Sequence, residues 1–235
     1  MSGKLAVLGC GLMGSGIASL AAPEAELILI DREAERARAL ADRHHAAWSM
    51  DLRDAAEAEI VCAVLPAPVT EEAFRSLAEV LAPGALALNM STKGQIPPDV
   101  KERRPDVRFL EAKIVGAGVG VEAGLRPLLV TDAREESVLS ALRAALPGFA
   151  EIVPGDPALV PRVNALGAYW GVRAAVETEE ALRQMGLPVS WVRAAVGCLV
   201  PGSTLGYCQG RMGAFNRAVA EQVLAEIREK KKTEA

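Results

Sequence analysis

Short apolar runs recur along this chain, each ending in a glycine, an acid or a small polar residue, and most of them leading into a stretch with helical spacing. The runs are KLAVLG (4–9), AELILID (25–31), AEIVCAVLP (58–66), GALALNMST (84–92), VRFLEAKIVG (107–116), RPLLVTD (126–132) and GFAEIVPG (148–155). Within them apolar residues are continuous rather than alternating, as in strands buried on both faces of a parallel sheet. Between them, LMGSGIASLAA, TEEAFRSLAEVL and REESVLSALRAAL have helical periodicity, with Thr70 as a candidate cap of the second. Strands alternating with helices predict an α/β, doubly wound sheet with right-handed crossovers over residues 1–156. Ligands of such sheets lie over the carboxyl ends of the strands, so Gly9, Asp31, Leu65 with Pro66, and Ser91 are expected to line one crevice.

Beyond residue 156 the pattern is helical only. A long helix from Leu159 to Met185 is predicted to stop at Gly186 and Pro188. The helix SWVRAAVGCLV, the loop PGSTLGYCQGRMG and a last amphipathic helix with a basic end, Lys230 to Lys232, complete a small all-helical domain over 157–235. Its apolar faces, Val163, Leu166, Trp170, Val172 and Val176 with Val219, Val223 and Ile227, are too extensive for so small a unit to cover alone. A homodimer is expected, each partner's helices completing the other's cleft.

Composition narrows the classes. Of 235 residues 51% are apolar and the formal charge is −4, so a full core is affordable and no basic face is available for nucleic acid. No apolar stretch is long enough to span a bilayer, and Met1 to Lys4 leads directly into a strand, so neither a membrane anchor nor a signal peptide is expected. Cys10, Cys62, Cys198 and Cys208 form no CxxC pair, which argues against a metal site or a disulfide framework and for a reducing cytoplasm.

The first strand ends in G-C-G-L-M-G. Gly9 suits a tight turn, Gly11 lets main chain approach a pyrophosphate, and Gly14 lets the following helix lie close to the strand. Leu12 and Met13 sit between the last two glycines, where a helix N-terminus offers N–H groups and a partial positive charge to phosphates. Asp31 follows Gly11 by 20 residues, the place of an acid that accepts hydrogen bonds from the adenosine ribose. A carboxylate there favours NAD, with NADP open through Arg32 beside it. Asp31 also suits a helix N-cap.

In order and spacing, GCGLMGSGIA, VLPAPVTEEAF, LNMST, FLEAKIVGAGVGVEAG and RVNALGAYWGVRAAVETEEALRQMG resemble the β-hydroxyacid dehydrogenase superfamily. That group includes 3-hydroxyisobutyrate and 6-phosphogluconate dehydrogenases and imine reductases. The resemblance covers about residues 4 to 187 and implies a Rossmann-type cofactor domain, a nicotinamide cofactor and a small-molecule substrate held by Ser91, Thr92 and Asn164. The departures matter as much. Where those enzymes read DAPVSGG, this chain has Val115 at the substrate-binding serine and Lys113 at the proline. Their general acid lysine precedes an asparagine by three residues. Here Asn164 fits the asparagine, but Pro161 stands at the lysine position, and Arg162 does not release a proton near neutral pH.

A hydride transfer to a carbonyl or imine still needs a proton for the heteroatom. Lys113, at a strand end facing the crevice, and Lys93, directly after Ser91-Thr92, are the candidates beside Asn164. The expectation is therefore an NAD(P)-dependent oxidoreductase acting on a small carbonyl, alcohol or imine. The alternatives are a dinucleotide-binding sensor or regulator without dehydrogenase activity, and a partner-binding domain with no cofactor.

Overall fold

The computed structural model describes residues 3–208, 221–222, 225–226 and 229. Its Cα positions cluster into two compact units, Met1–Asn164 and Ala165–Ala235. The first is built on an eight-stranded sheet: β1 (Lys4–Leu8), β2 (Glu26–Ile30), β3 (Ala47–Ser49), β4 (Ile60–Ala63), β5 (Leu86–Asn89), β6 (Arg108–Val115), β7 (Leu128–Thr131) and β8 (Glu151–Pro154). The order across the sheet is β3-β2-β1-β4-β5-β6-β7-β8. β1 to β6 run parallel, whereas β6 and β7 pair antiparallel, Ala112 opposite Thr131, so β7 and β8 are reversed. The reversal falls where the connection between β6 and β7, residues 116–127, contains only the single-turn helix α5 (Gly118–Glu122) rather than the full helix of a crossover to a parallel neighbour.

Six helices cover this sheet: α1 (Leu12–Leu20), α2 (Ala34–His44), α3 (Ala67–Val80), α4 (Pro98–Arg103), α5 (Gly118–Glu122) and α6 (Glu136–Ala145). Because β1, β2, β4, β5 and β6 are covered on both faces, their alternating side chains feed two separate cores, while β3 is an exposed edge strand. Val7, Leu29, Cys62 and Leu88 pack with Ile17 of α1, Leu40 of α2 and Leu139 and Leu142 of α6. Ala6, Ile28, Val61 and Ala87 pack with Phe74 and Leu77 of α3 and Val100 of α4. Phe74 meets Phe109 of β6 edge-on, with ring centroids 6.2 Å apart. Burying one such ring is worth about 2–3 kcal/mol.

Several local expectations are corrected. β4 stops at Ala63 and β5 at Asn89, two or three residues before Leu65-Pro66 and Ser91-Thr92, because the chain turns out of the sheet to open the crevice. α3 starts at Ala67, with Pro66 fixing the extended entry; Thr70 is no cap but donates from Oγ1 to the Pro66 carbonyl at 3.1 Å from inside the first turn. β3, α4 and α5 are short elements that periodicity did not announce.

In the second unit α7 (Val160–Gln184) continues from the first, and Gly186 with φ +71° ends it as expected. α8 (Val189–Ala194), a π-helical turn (Ala195–Leu199) and α9 (Val200–Cys208) follow without a break. The loop expected from Pro201 is therefore helical through Cys208. Proline is tolerated within the first turn of a helical segment, and here that turn follows a register shift in the π-turn. Residues 209–213 of the expected loop, and Val219, Val223, Ile227 and Lys230 to Lys232, lie outside the described residues.

Candidate functional site

The glycine loop joins β1 to α1 beside β4, where the strand order reverses. Gly9 has φ +91° and donates its N–H to the Ile30 carbonyl at 2.8 Å; a Cβ there would stand 2.5 Å from the Val64 carbonyl oxygen. A Cβ on Gly14 would overlap the Gly9 carbonyl oxygen. Both glycines are thus demanded by the protein itself. Gly11 is different. Its φ of −74° suits any residue, and a Cβ would meet nothing within 4 Å. What its missing side chain leaves clear is a cradle over the N-terminus of α1, whose first-turn N–H groups have no side-chain cap.

Asp31 follows β2 and reaches back to this loop. Its Oδ2 accepts the Cys10 N–H at 2.7 Å, and its Oδ1 accepts the Glu33 N–H at 2.9 Å. The N-cap expected at Asp31 is instead at Glu33, and Asp31 forms a turn ahead of α2 while pinning the glycine loop to β2. Burial and the neighbouring Asp31 carboxylate push the Cys10 thiol up to about 12, so it is no nucleophile. Beyond Asp31, Arg32, Met50, Leu52 and Val69 line an apolar cavity of about 240 Å³. Arg36, paired with Glu33 at 2.9 Å, borders both this cavity and the one over the glycine loop.

On the other side of β1, the ends of β5 and β6 carry a buried polar network. Lys113, only 6% exposed, pairs with Glu111 at 2.8 Å, and its ammonium also donates to the Gly94 carbonyl at 3.1 Å and the Asn89 carbonyl at 3.3 Å. Those acceptors use all three of its hydrogens. Burial lowers its pKa, and the Glu111 carboxylate opposes the shift. Glu111 also accepts from Asn89 Nδ2 at 2.9 Å and from the Ile96 N–H at 2.8 Å. Asn89 Oδ1 takes the Ser91 N–H, and Ser91 Oγ takes the Gly94 N–H, both at 3.0 Å. That leaves the Ser91 hydroxyl hydrogen to donate. Asn164, in the first turns of α7, donates from Nδ2 to the Ile114 carbonyl at 2.8 Å and accepts the Gly116 N–H at 3.2 Å, clipping α7 to the end of β6.

One cavity of about 320 Å³ connects these parts, a volume within the ordinary range of small-molecule sites. Gly9, Gly11, Leu12, Met13 and Gly14 form one part of its wall, Asp31 and Arg36 one end, Leu65 and Pro66 the middle, and Ser91, Thr92, Lys113 and Asn164 the other end. Two expected residues fall elsewhere. Arg32 borders only the apolar cavity beyond Asp31, and Lys93 borders only a neighbouring cavity of about 620 Å³, which it lines with Lys101 and Asp156 and which shares Thr92, Lys113 and Pro161 with the first. Arg36, Asn89 and Glu111 were not anticipated. Glu111 had a signal, since it stands two residues before Lys113 on one strand and so shares its face; Arg36 and Asn89 read only as a helix charge and a strand end. Among the described residues no cluster of His, Cys, Asp or Glu could hold a metal ion, and no helix is long and apolar enough to cross a membrane.

The open cradle at Gly11, the uncapped helix N-terminus, the acid after β2 and the apolar slot beyond it fit a dinucleotide laid across the strand ends. Residues 4–143 match the NAD binding domain of 6-phosphogluconate dehydrogenase. No curated protein sequence matches. Among solved structures, the pyrroline-5-carboxylate reductase of Coxiella burnetii superposes with a TM-score of 0.75 at 12% identity, covering 97% of this chain and 93% of that one. The imine reductase from Pseudomonas sp. gives 0.62 at 18%, over 98% and 88%. The 3-hydroxyisobutyrate dehydrogenase of Mycobacterium tuberculosis, solved with L-serine, gives 0.56 at 22%, over 84% and 71%. At these identities the likeness to the solved structures is one of fold. With most of the chain covered by the family match, this protein belongs to the family of the 6-phosphogluconate dehydrogenase NAD binding domain, within the β-hydroxyacid dehydrogenase superfamily, and its cofactor is NAD(P).

Proposed function

We propose that this protein is an NAD-dependent oxidoreductase that interconverts a small carbonyl or imine with the corresponding alcohol or amine. The observation that carries this is the single cavity joining the Gly11 cradle to Ser91, Thr92 and Asn164. A dinucleotide laid from Asp31 across β1 and β4 brings its nicotinamide to those residues. When bound, the cofactor supplies or accepts the hydride. The chain's own part is to hold the pyrophosphate on the α1 N-terminus, to seat the adenosine ribose against Asp31, and to offer the Ser91 hydroxyl and the Asn164 amide to a polar substrate. Residues 1–156 form the cofactor domain in this reading and 157–235 the helical one.

One observation favours a second reading. Among the described residues lining the cavity, the titratable side chains are Asp31, Arg36 and Lys113, and none is a free acid beside the nicotinamide end. A protein that binds NAD and signals its redox state without turnover would need none. The deciding experiment is titration with NADH and NADPH, followed through energy transfer from Trp48, Trp170 and Trp191, and then a screen of carbonyl and imine substrates. Micromolar binding with NADH preferred and turnover of any substrate supports the oxidoreductase; binding with no turnover supports the sensor, and binding of neither nucleotide removes both.

The helical unit supports a further proposal, that two copies associate through it. Leu166, Tyr169, Trp170, Val172 and Trp191 are all exposed, and large exposed apolar surface of this kind marks an interface. Light scattering is expected to give twice the mass of 24.7 kDa; a monomer at micromolar concentration would remove the proposal.

A further inference from the structure

We infer that Lys113 and Glu111 are a positioning pair that sets the loop holding the nicotinamide end of the dinucleotide. This rests on the reading of the cavity as a dinucleotide site. A buried ammonium is costly unless every hydrogen finds an acceptor, and Lys113 spends its hydrogens on Glu111 and on two carbonyls of one loop, those of Asn89 and Gly94. The pair's other half works on the same loop: Glu111 holds the Asn89 amide and the Ile96 N–H. Asn89 Nδ2 additionally donates to the Gly94 carbonyl at 2.8 Å. Each of these bonds ties Asn89–Ile96 to itself or to the pair, and the loop's cavity-lining members are Ser91 and Thr92.

The loop has little freedom to relax onto something else. A Cβ on Gly94 would come within 2.8 Å of Ser91 Oγ and collide with Thr70 beneath it. Removing the pair therefore removes the side-chain bonds that tie this loop to β6, while those that Asn89 and Ser91 make within the loop remain. The effect is confined to one end of the site, since among the described residues no hydrogen bond joins this network to Gly9–Gly14 or Asp31. Lys113 is thus a positioning residue, held too fully by its acceptors to serve as the proton donor, and the pyrophosphate and adenosine seats are independent of it.

The independence gives the test. ADP-ribose carries the adenosine and pyrophosphate of NADH but no nicotinamide, so its affinity reports one end alone. Binding of both ligands is measured by calorimetry for the parent, for Lys113→Met and for Lys113→Met with Glu111→Gln. The double variant leaves no unpaired buried charge and is the one expected to fold if the single variant does not. Both variants are expected to lose about tenfold in NADH affinity, the equivalent of one hydrogen bond to a charged group, and to hold ADP-ribose within about twofold of the parent. Unchanged NADH affinity in the double variant overturns the inference, and so does an equal loss for both ligands, which would mark a general loss of structure. A parent that binds NADH no better than ADP-ribose has no nicotinamide contact to lose and overturns it as well. A parent that binds neither ligand fails the dinucleotide reading itself, a result distinct from all of these.

Discussion

The two ends of the cavity are built by opposite means. At the glycine end the main chain does the work: Gly9 and Gly14 lack side chains so that strand, turn and helix can touch, and Gly11 lacks one although the protein has room for it. At the Ser91 end side chains hold the main chain: Asn89, Glu111 and Lys113 come from two strands, converge under a loop, and bind both one another and its carbonyl and N–H groups. Recognition by main chain depends on a few adjacent residues and survives change elsewhere. Recognition by a side-chain network depends on residues far apart in sequence, and replacing any one of them weakens it.

The sharpest way to break this comparison is within the glycine loop. Gly14→Ala forces a Cβ into the Gly9 carbonyl and is expected to cost about 2–3 kcal/mol, read from urea unfolding. Gly11→Val puts its Cβ where no protein atom lies within 4 Å, so stability should stay within about 1 kcal/mol of the parent while NADH affinity falls about 100-fold or more. If Gly11→Val binds NADH as the parent does, the cradle is not where the pyrophosphate lies and the division between the ends collapses.

The same division explains what was legible. The glycines, Asp31 and the buried strands were readable because each requirement is local: a φ, a close approach, an apolar run. The helices α1, α6 and α7 were readable from their period and stops. Lys113 could be placed at the cavity but its occupation could not, because its three acceptors lie on residues 89, 94 and 111 and only the β5–β6 pairing brings them together. Asn164 is a parallel case: its sequence position marks a substrate contact, and its amide also holds the Ile114 carbonyl and the Gly116 N–H. The reversal of β7 left no trace in its own residues, since a buried strand reads the same in either direction.

A smaller effect sharpens the adenosine side. Asp31→Ser removes the charge that would repel a 2′-phosphate, with Arg32 and Arg36 left in place nearby. The preference for NADH over NADPH is expected to shrink about tenfold, a unit of charge acting across a partly solvated contact. Because Asp31 also accepts the Cys10 N–H, some NADH affinity should be lost in the same variant. A parent that already prefers NADPH would show that the two arginines outweigh the carboxylate.

The smallest effect is expected at Lys93, and it is informative for that reason. In sequence Lys93 is nearer to Ser91 and Thr92 than Lys113 is, so proximity along the chain would give it the larger role. In space it is exposed and borders only the neighbouring cavity with Lys101 and Asp156, whereas Lys113 borders both that cavity and the cofactor cavity. An exposed charge acting through water is screened within about 10 Å at ordinary salt. Lys93→Met is therefore expected to leave NADH affinity within about twofold, where Lys113→Met loses about tenfold. If calorimetry showed the reverse order, the second cavity would have to belong to the cofactor site, and the end of the pocket defined by Ser91 would extend across the loop rather than stop at it.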